Sequence, residues 1–512
     1  MTKEKNKIIL VIILILISLI ALVGSSYALL TKSFKSKKLS MEVGTLKIDF
    51  AEGNAINMAN VAPMTDSDGL KSTPYTFTIT NGGDINAYYT VSNEEELANT
   101  LDTSYLRMKL TGSDGYDSGI KTVKELGTET YKLIDDTLLE TGKSVTYELR
   151  MWISQDAGNN IQDKIYKSKI VVNGTSNKLP LATEKLIAKA NAEDLDYNSA
   201  TDAQKKEMWT FTHEATEQTT ALTDYRYIGA DPNNYVKFND ELWRIIGVFD
   251  TDDGTGKIEK RLKIIRNESI GNYSWDNKDT TTGAEDSYGK NEWSYARLNY
   301  LLNPGHESET TGGSLYWNRR AGNCYYGQNN APTACDFTTT GLTEKAKAMI
   351  GYAKWYLGGS STYEDVTAPM FYTRERGTSV YSGRSTTWTG KVGLMYPSDY
   401  GYATSGGTTT NRASCLAKEL FNWDSDTVSD CKNNDWMYNS SIWQWTIMPR
   451  QDITHGVFNV NRDGCVRPGY AHHNNGVRPV VHLNSAIKMI TGSGTKESPY
   501  ILEWKREVVD RS

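Results

Sequence analysis

The chain has 512 residues, 56 Lys plus Arg against 62 Asp plus Glu, and a formal net charge of −6. That length accommodates two or three domains, each able to bury its own core. The acidic balance, with no Lys/Arg-rich stretch after residue 38, argues against nucleic acid as a partner, and 42 Gly, 31 Tyr and 13 Trp against 12 Pro describe a folded, turn-rich chain rather than a disordered one.

Residues 8–23 are Ile, Leu, Val and Ala interrupted only by Ser18, behind Lys3, Lys5 and Lys7. At ~1.5 Å per residue they make a helix of roughly 24 Å, short of a ~30 Å hydrocarbon core but long for the apolar part of a signal peptide. Ser26 and Ala28 supply the small residues that a signal peptidase needs for a cut between Ala28 and Leu29. Uncut, the apolar stretch runs on to Leu30 and is an N-terminal membrane anchor, although Lys32, Lys35, Lys37 and Lys38 behind it oppose a stable outward orientation. Residues 1–28 are thus a signal peptide or a transmembrane anchor. Either way the membrane is a partner during export, and the remainder is expected outside the cell, secreted or at its surface.

From residue 44 to 172 the pattern has period two, which sends alternate side chains to opposite faces of a strand. Leu46, Ile48 and Phe50 alternate with polar neighbours, as do Tyr75, Phe77 and Ile79, and Val145, Tyr147, Leu149, Met151 and Ile153. Residues 105–110 and 165–172 add two strands, and Asn81-Gly82-Gly83, Asp114-Gly115 and Asn173-Gly174 read as turns. Half-buried strands with short turns predict two stacked antiparallel sheets. The order of an apolar segment ending in Tyr27-Ala28, then VGTLKIDF, then PYTFTITNGGDINAYYTV resembles the TasA and camelysin family of exported matrix proteins. The resemblance implies an all-β jelly-roll or Ig-like sandwich over residues 29–175 and, for some members, fibres built by lending an N-terminal strand to the next subunit. Camelysin relatives have been called metalloproteases, but His213-Glu214 lacks a second His four residues after the first and lies outside this region.

Residues 176–222 read as a linker: a helix behind Pro180, then a polar, Thr-rich tether. Across residues 223–505 strands and helices mix. A hairpin is expected from 235–238 and 242–249 around Asn239-Asp240, a third strand over 261–266, and helices over 296–302, 343–357 and 413–422, the second stopped by Gly358-Gly359. A terminal hairpin flanks Arg462-Asp463-Gly464, and Pro479 should hold the strand 477–483 to an edge or bulge. Residues 506–512 are a tail. The blocks NNYVKFNDELWRIIGVF, KIIRNESIG, NEWSYARLNYLLN, GLMYPSDYGYA, WQWTIMP and GVRPVVHLNS resemble the lectin-like domain of unknown function on exported Gram-positive proteins. That domain is similar to the formylglycine-generating-enzyme and C-type-lectin superfamily, which implies an α+β C-type-lectin-like fold.

The spacing of the cysteines in an exported chain pairs Cys324 with Cys335 and Cys415 with Cys431, and leaves Cys465 over. The paired-cysteine copper site of the formylglycine-generating enzymes is therefore missing, and no enzyme activity is expected. Calcium-dependent lectins rest on EPN or QPD with WND. None of these triplets occurs, so Ca²⁺ in the oxygen-rich loops has no motif behind it, and no metal or other cofactor is expected. His455, Cys465, His472 and His473 gather near the terminal hairpin, but their spacing fits no zinc pattern. Trp443 and Trp445 alternate, so one faces the core and one faces out. Trp443, Arg450, His455, Arg462, Tyr470, His472 and His473 form the expected ligand-binding set, with aromatic faces and guanidinium forks suited to a glycan or a protein. Arg478 is expected to anchor a buried carboxylate or backbone carbonyls. The chain reads as an exported surface binding protein that displays a lectin-like domain on a β-sandwich stalk. The alternative is a self-assembling matrix subunit.

Overall fold

The structure, a computed structural model, describes residues 32–34, 47–52, 56–57, 62–95, 99–123, 130–176, 180–277, 288–327 and 331–504. The expected apolar segment 8–23, the cleavage point Ala28–Leu29 and the tail 506–512 lie outside these. Among the described residues no helix is long and apolar enough to cross a membrane. Strands take 39% of the chain and helices 16%, so sheets set the framework. The chain divides into two compact units, one ending at Leu179 and one starting at Pro180.

The first unit holds two antiparallel sheets of five strands each. One runs in the order Lys32–Phe34, Lys167–Thr175, Ala87–Glu95, Thr130–Leu139, with Ile56–Asn57 also on Lys167–Thr175. The other runs Ile48–Glu52, Tyr75–Asn81, Ser144–Ile153, Leu106–Gly112, Lys121–Thr122. Period two does what it predicts. Phe77 and Ile79 are buried, while Thr78 and Thr80 on the other face bond the hydroxyls of Thr146 and Ser144 across the ladder, each at 2.8 Å. Phe50, Phe77, Tyr89, Tyr147 and Val172 pack into one core, where the Tyr89 and Tyr147 hydroxyls share a hydrogen bond. One expected turn is wrong. Asn173-Gly174 lies inside a strand, opposite Thr90 and Tyr89, and glycine is needed there because a Cβ would stand 2.7 Å from Ile48 Cγ1.

In the second unit Asn239 and Asp240, at φ 56° and 62°, make the tight turn between Tyr235–Phe238 and Glu241–Asp252. Ile258–Arg266 pairs on the far side of Glu241–Asp252, and these strands sit within a nine-stranded sheet. A second sheet, of five strands, runs Asn272–Ser274, Asn474–Gly476, Gln444–Pro449, Gly456–Val460, Val466–Tyr470.

Four expectations need correction. Residues 180–222 are not a linker but part of this unit. The helix Ala182–Ile187 buries Ala182 and Leu186, and Met208–His213 is a strand paired with Leu222–Tyr227 that buries Met208, Trp209 and Phe211. Its threonines occupy the more exposed alternate positions, which made the segment look polar. The helix expected over 343–357 stops at Met349, because Ile350 takes extended dihedrals (φ −82°, ψ 118°) and bridges to Leu483. Ala353–Tyr356 is instead a strand against Thr387–Gly390. Similarly, the 413–422 helix divides into Arg412–Ala417 and a 3₁₀ turn, Leu420–Asn422. Finally, Pro479 does not put a strand at an edge. It separates Asn474–Gly476 from Val480–His482, which lies inside the larger sheet between Val392–Gly393 and Ile258–Arg266.

Candidate functional site

The terminal hairpin divides the expected binding residues between its two ends. Gly456 pairs with Tyr470 at one end and Val460 with Val466 at the other. Four rises of ~3.4 Å therefore put roughly 14 Å between His455 with Tyr470 and the turn that carries Arg462. The expected set is corrected accordingly. Arg462 is exposed at the turn, where its carbonyl accepts a hydrogen bond from the Tyr438 hydroxyl at 2.7 Å. Trp443, 42% exposed, precedes Gln444, whose partner is Val460, so it too belongs to the turn end. Trp445 faces inward as alternation requires and donates its Nε1–H to the Tyr273 carbonyl at 2.9 Å.

At the other end His455, Tyr470, His472 and His473 do come together, and Tyr288 joins them. Ring centroids lie 4.6 Å apart for Tyr288 and Tyr470, 5.0 Å for Tyr288 and His455, 5.2 Å for His455 and Tyr470, and 5.3 Å for Tyr470 and His473. Tyr288 and His472 stack at 5.4 Å, and the His472 N–H donates to the Tyr288 carbonyl at 3.0 Å. Burial holds the His473 imidazole below its ordinary range. Tyr288 and Tyr470 remain 39% and 42% exposed, so the cluster presents ring faces to solvent.

Arg450 stands at this same end, beside a small depression, about large enough for a water molecule, lined by Asn291, Glu292, Trp293, Tyr381, Arg384 and Arg450 among others. The Asn291 amide donates to the carbonyls of Arg450, Ile453 and Gly456, each at 2.9 Å, and closes the loop that carries His455. The ring cluster and the depression are therefore neighbours across one loop. Both guanidinium groups are already neutralised, Arg384 by Glu292 at 2.9 Å and Arg450 by Asp452. Asn291 Oδ1, Trp293 Nε1 and Arg384 Nε are buried without a protein partner, which is the arrangement of a seat for an ordered water or an uncharged polar group. Nothing local in the sequence marks Tyr288, Asn291 or Arg384, because they reach the loop from distant segments.

The cysteines bond as their spacing predicts, Cys324 to Cys335 and Cys415 to Cys431. Cys465 is free and buried. Its thiol lies within 4.8 Å of carboxylate oxygens of Asp424 and Asp463. Burial, with Asp463 beside it, pushes this thiol far up, toward its protonated form, and Arg467 already occupies Asp424 at 2.6 Å. Arg478 anchors the Arg266 carbonyl at 2.9 Å and the Gln444 side-chain oxygen at 3.0 Å.

Deeper in the same unit lies an ionic cluster that pattern reading missed. Asp224 binds Arg226 at 2.7 Å, Arg226 binds Asp399 at 3.2 Å, and Asp399 binds Lys263 at 2.5 Å. Burial works against the charges on Asp224 and Asp399, but Arg226, with His213 for the first and Lys263 for the second, outweighs it and holds both carboxyls below their ordinary range. Glu375, bonded to the Ser398 N–H and hydroxyl, is pushed by burial up to about 7. The available signal was one charge set between apolar neighbours, Lys263 between Leu262 and Ile264.

Burial also lowers the pKa of His213 and His482 below the ordinary 6.5. Below pH 6.5 the unfolded chain takes up protons that these two folded imidazoles refuse, so stability present above 6.5 is lost as pH falls. Glu375 has the opposite sign, because between 4.5 and about 7 it holds a proton in the folded state that the unfolded chain releases. Replacing His482 with Gln should flatten the fall in unfolding free energy below pH 6.5 by about 1.4 kcal/mol per pH unit. Denaturant titrations at stepped pH check this, and an unchanged slope contradicts it.

Neither a protein-family model nor a curated protein sequence matches the chain.

Proposed function

We propose that the chain is an exported surface protein without enzymatic activity, whose second unit recognises an extracellular glycan at the end of the terminal hairpin that carries His455 and Tyr470. The proposal includes a jelly-roll or Ig-like sandwich for the first unit and a C-type-lectin-like α+β fold for the second. The observation that carries it is the pairing of exposed rings, Tyr288 and Tyr470 with the imidazoles around them, with a depression whose buried polar atoms lack partners. Flat faces take the apolar side of a sugar ring, while unpaired donors and an acceptor suit its hydroxyl or amide groups. Because Arg384 and Arg450 are already ion-paired, the face favours a neutral ligand over an anion. Titration of the full exported chain with soluble peptidoglycan fragments and with neutral glucan oligosaccharides tests the reading. Tyr470→Ala should weaken the binding by roughly 30-fold, the effect of losing a central aromatic anchor, while the chain still melts cooperatively. Equal affinity of the variant contradicts the placement of the site.

A second reading, a matrix subunit assembling by strand exchange, draws on the three-residue edge strand Lys32–Phe34 against Val172–Gly174. A neighbouring subunit's strand would take that place. This reading requires a free mature N-terminus, hence cleavage between Ala28 and Leu29.

A further inference from the structure

We propose that Lys263 and Asp399 become joined by an amide bond, a side-chain cross-link formed within the second unit without an external catalyst. Lys263 lies on the strand Ile258–Arg266 and Asp399 on the helix Pro397–Ala403, 136 residues apart in sequence. Lysine Nζ stands 2.5 Å from Asp399 Oδ2, with the two side chains 2% and 1% exposed. The rings of Phe249, Trp355 and Tyr396 surround the amine at 5.3, 5.9 and 4.5 Å. Amine and carboxyl are thus held in contact in a site closed to solvent, where positioning replaces a bimolecular encounter and expelled water does not readily return.

The neighbouring groups supply what such a condensation needs. Burial lowers the pKa of the Lys263 ammonium and eases its conversion to the free amine. Arg226 Nη1 lies 3.2 Å from Asp399 Oδ1, the oxygen that remains, and can stabilise negative charge as it develops there. The Tyr396 N–H donates to Oδ2 at 2.9 Å. Glu375 is fully buried, and its carboxyl is tied to the backbone and hydroxyl of Ser398, the residue before Asp399. That tie, with the Arg376 guanidinium at 3.2 Å from the same carboxyl, fixes the backbone that carries Asp399.

In the proposed sequence one proton of the ammonium crosses the 2.5 Å hydrogen bond to Oδ2. The amine lone pair then attacks Cγ, and the N–Cγ bond forms as the carbonyl electrons move onto Oδ1, facing Arg226. A second proton passes from nitrogen to Oδ2, the Cγ–Oδ2 bond breaks, and water departs. One ammonium and one carboxylate yield one amide and one water, with no change of oxidation state and no co-reactant. A covalent tie between two distant elements would suit a protein that works outside the cell, and the inference stands independently of the glycan reading.

Intact-mass measurement and tryptic mapping of the full exported wild-type chain test it. The expected mass lies below that of the disulfide-bonded sequence, counted from its measured N-terminus, by one water. The expected digest contains a branched peptide joining the Lys263 and Asp399 segments, with no cleavage after Lys263. A wild-type chain at the full disulfide-bonded mass and cleaved after Lys263 overturns the proposal. Lys263→Met should stay at full mass, and since the wild-type measurement decides alone, a failure of that variant to fold leaves the test intact.

Discussion

Asp399→Ala is expected to cost the second unit about 3–5 kcal/mol, the usual consequence of removing one partner from a buried charge pair. The carboxylate stands between Lys263 at 2.5 Å and Arg226 at 3.2 Å and also accepts the Tyr396 N–H. Without it, Arg226 keeps Asp224, but Lys263 keeps no anion within reach. A lone ammonium in that setting must either remain charged at a high desolvation cost or give up its proton, and each course destabilises the fold. Where the amide forms, the substitution also removes the cross-link, so the loss is at least this large. The paired replacement Lys263→Met with Asp399→Leu leaves neither charge behind and should recover the part of the loss that comes from the stranded ammonium, but not the part that comes from the cross-link. Denaturant midpoints of the three chains give the comparison. A single variant that unfolds with wild-type stability would show that the cluster is not structural.

Reduction of either disulfide is expected to cost about 3 kcal/mol in the chain-entropy model. Cys415–Cys431 closes 16 residues and joins the helix Arg412–Ala417 to the helix Ser429–Asn433. Cys324–Cys335 closes 11 residues across the hairpin of Ala321–Tyr325 and Pro332–Asp336. Both Cys415 and Cys431 are completely buried, whereas Cys335 is 6% exposed, so mild reductant should open the hairpin bridge first. Melting with and without reductant, with thiols counted by alkylation under denaturing conditions, checks both points. One thiol, that of Cys465, should react before reduction and five after it. An unchanged melting temperature after full reduction contradicts the assignment of the bridges as stabilising.

Much of the first unit was legible because a two-residue period is local: Phe77 and Ile79 go in, and Thr78 and Thr80 stay on the other face, whatever the topology. Asn173-Gly174 was misread for a reason that no dipeptide rule contains, since the glycine is required by Ile48 on a strand far away in sequence. The same holds for Ile350, whose bridge partner is Leu483, and for residues 180–222, whose threonines hid a strand that buries Trp209 and Phe211. Of the residues that the sequence gathers near the terminal hairpin, His455, His472 and His473 share one end with Tyr470, whereas Cys465 lies at the turn end beside Val466. The sequence did not separate Arg462 either, although the antiparallel register that gathers those four also carries the turn away from them. Tyr288, Asn291 and Arg384 could not be found this way, because only tertiary packing brings them to the loop that holds His455.

The proposed recognition face is tested most directly by hydrogen–deuterium exchange of the full chain with and without the glycan fragment that binds it best. Protection at residues 288–293, 450–456 and 470–473, with the Arg462 turn unchanged, is the predicted footprint. Protection centred on the turn around Arg462 and Trp443, or none in the second unit at saturating ligand, would contradict it.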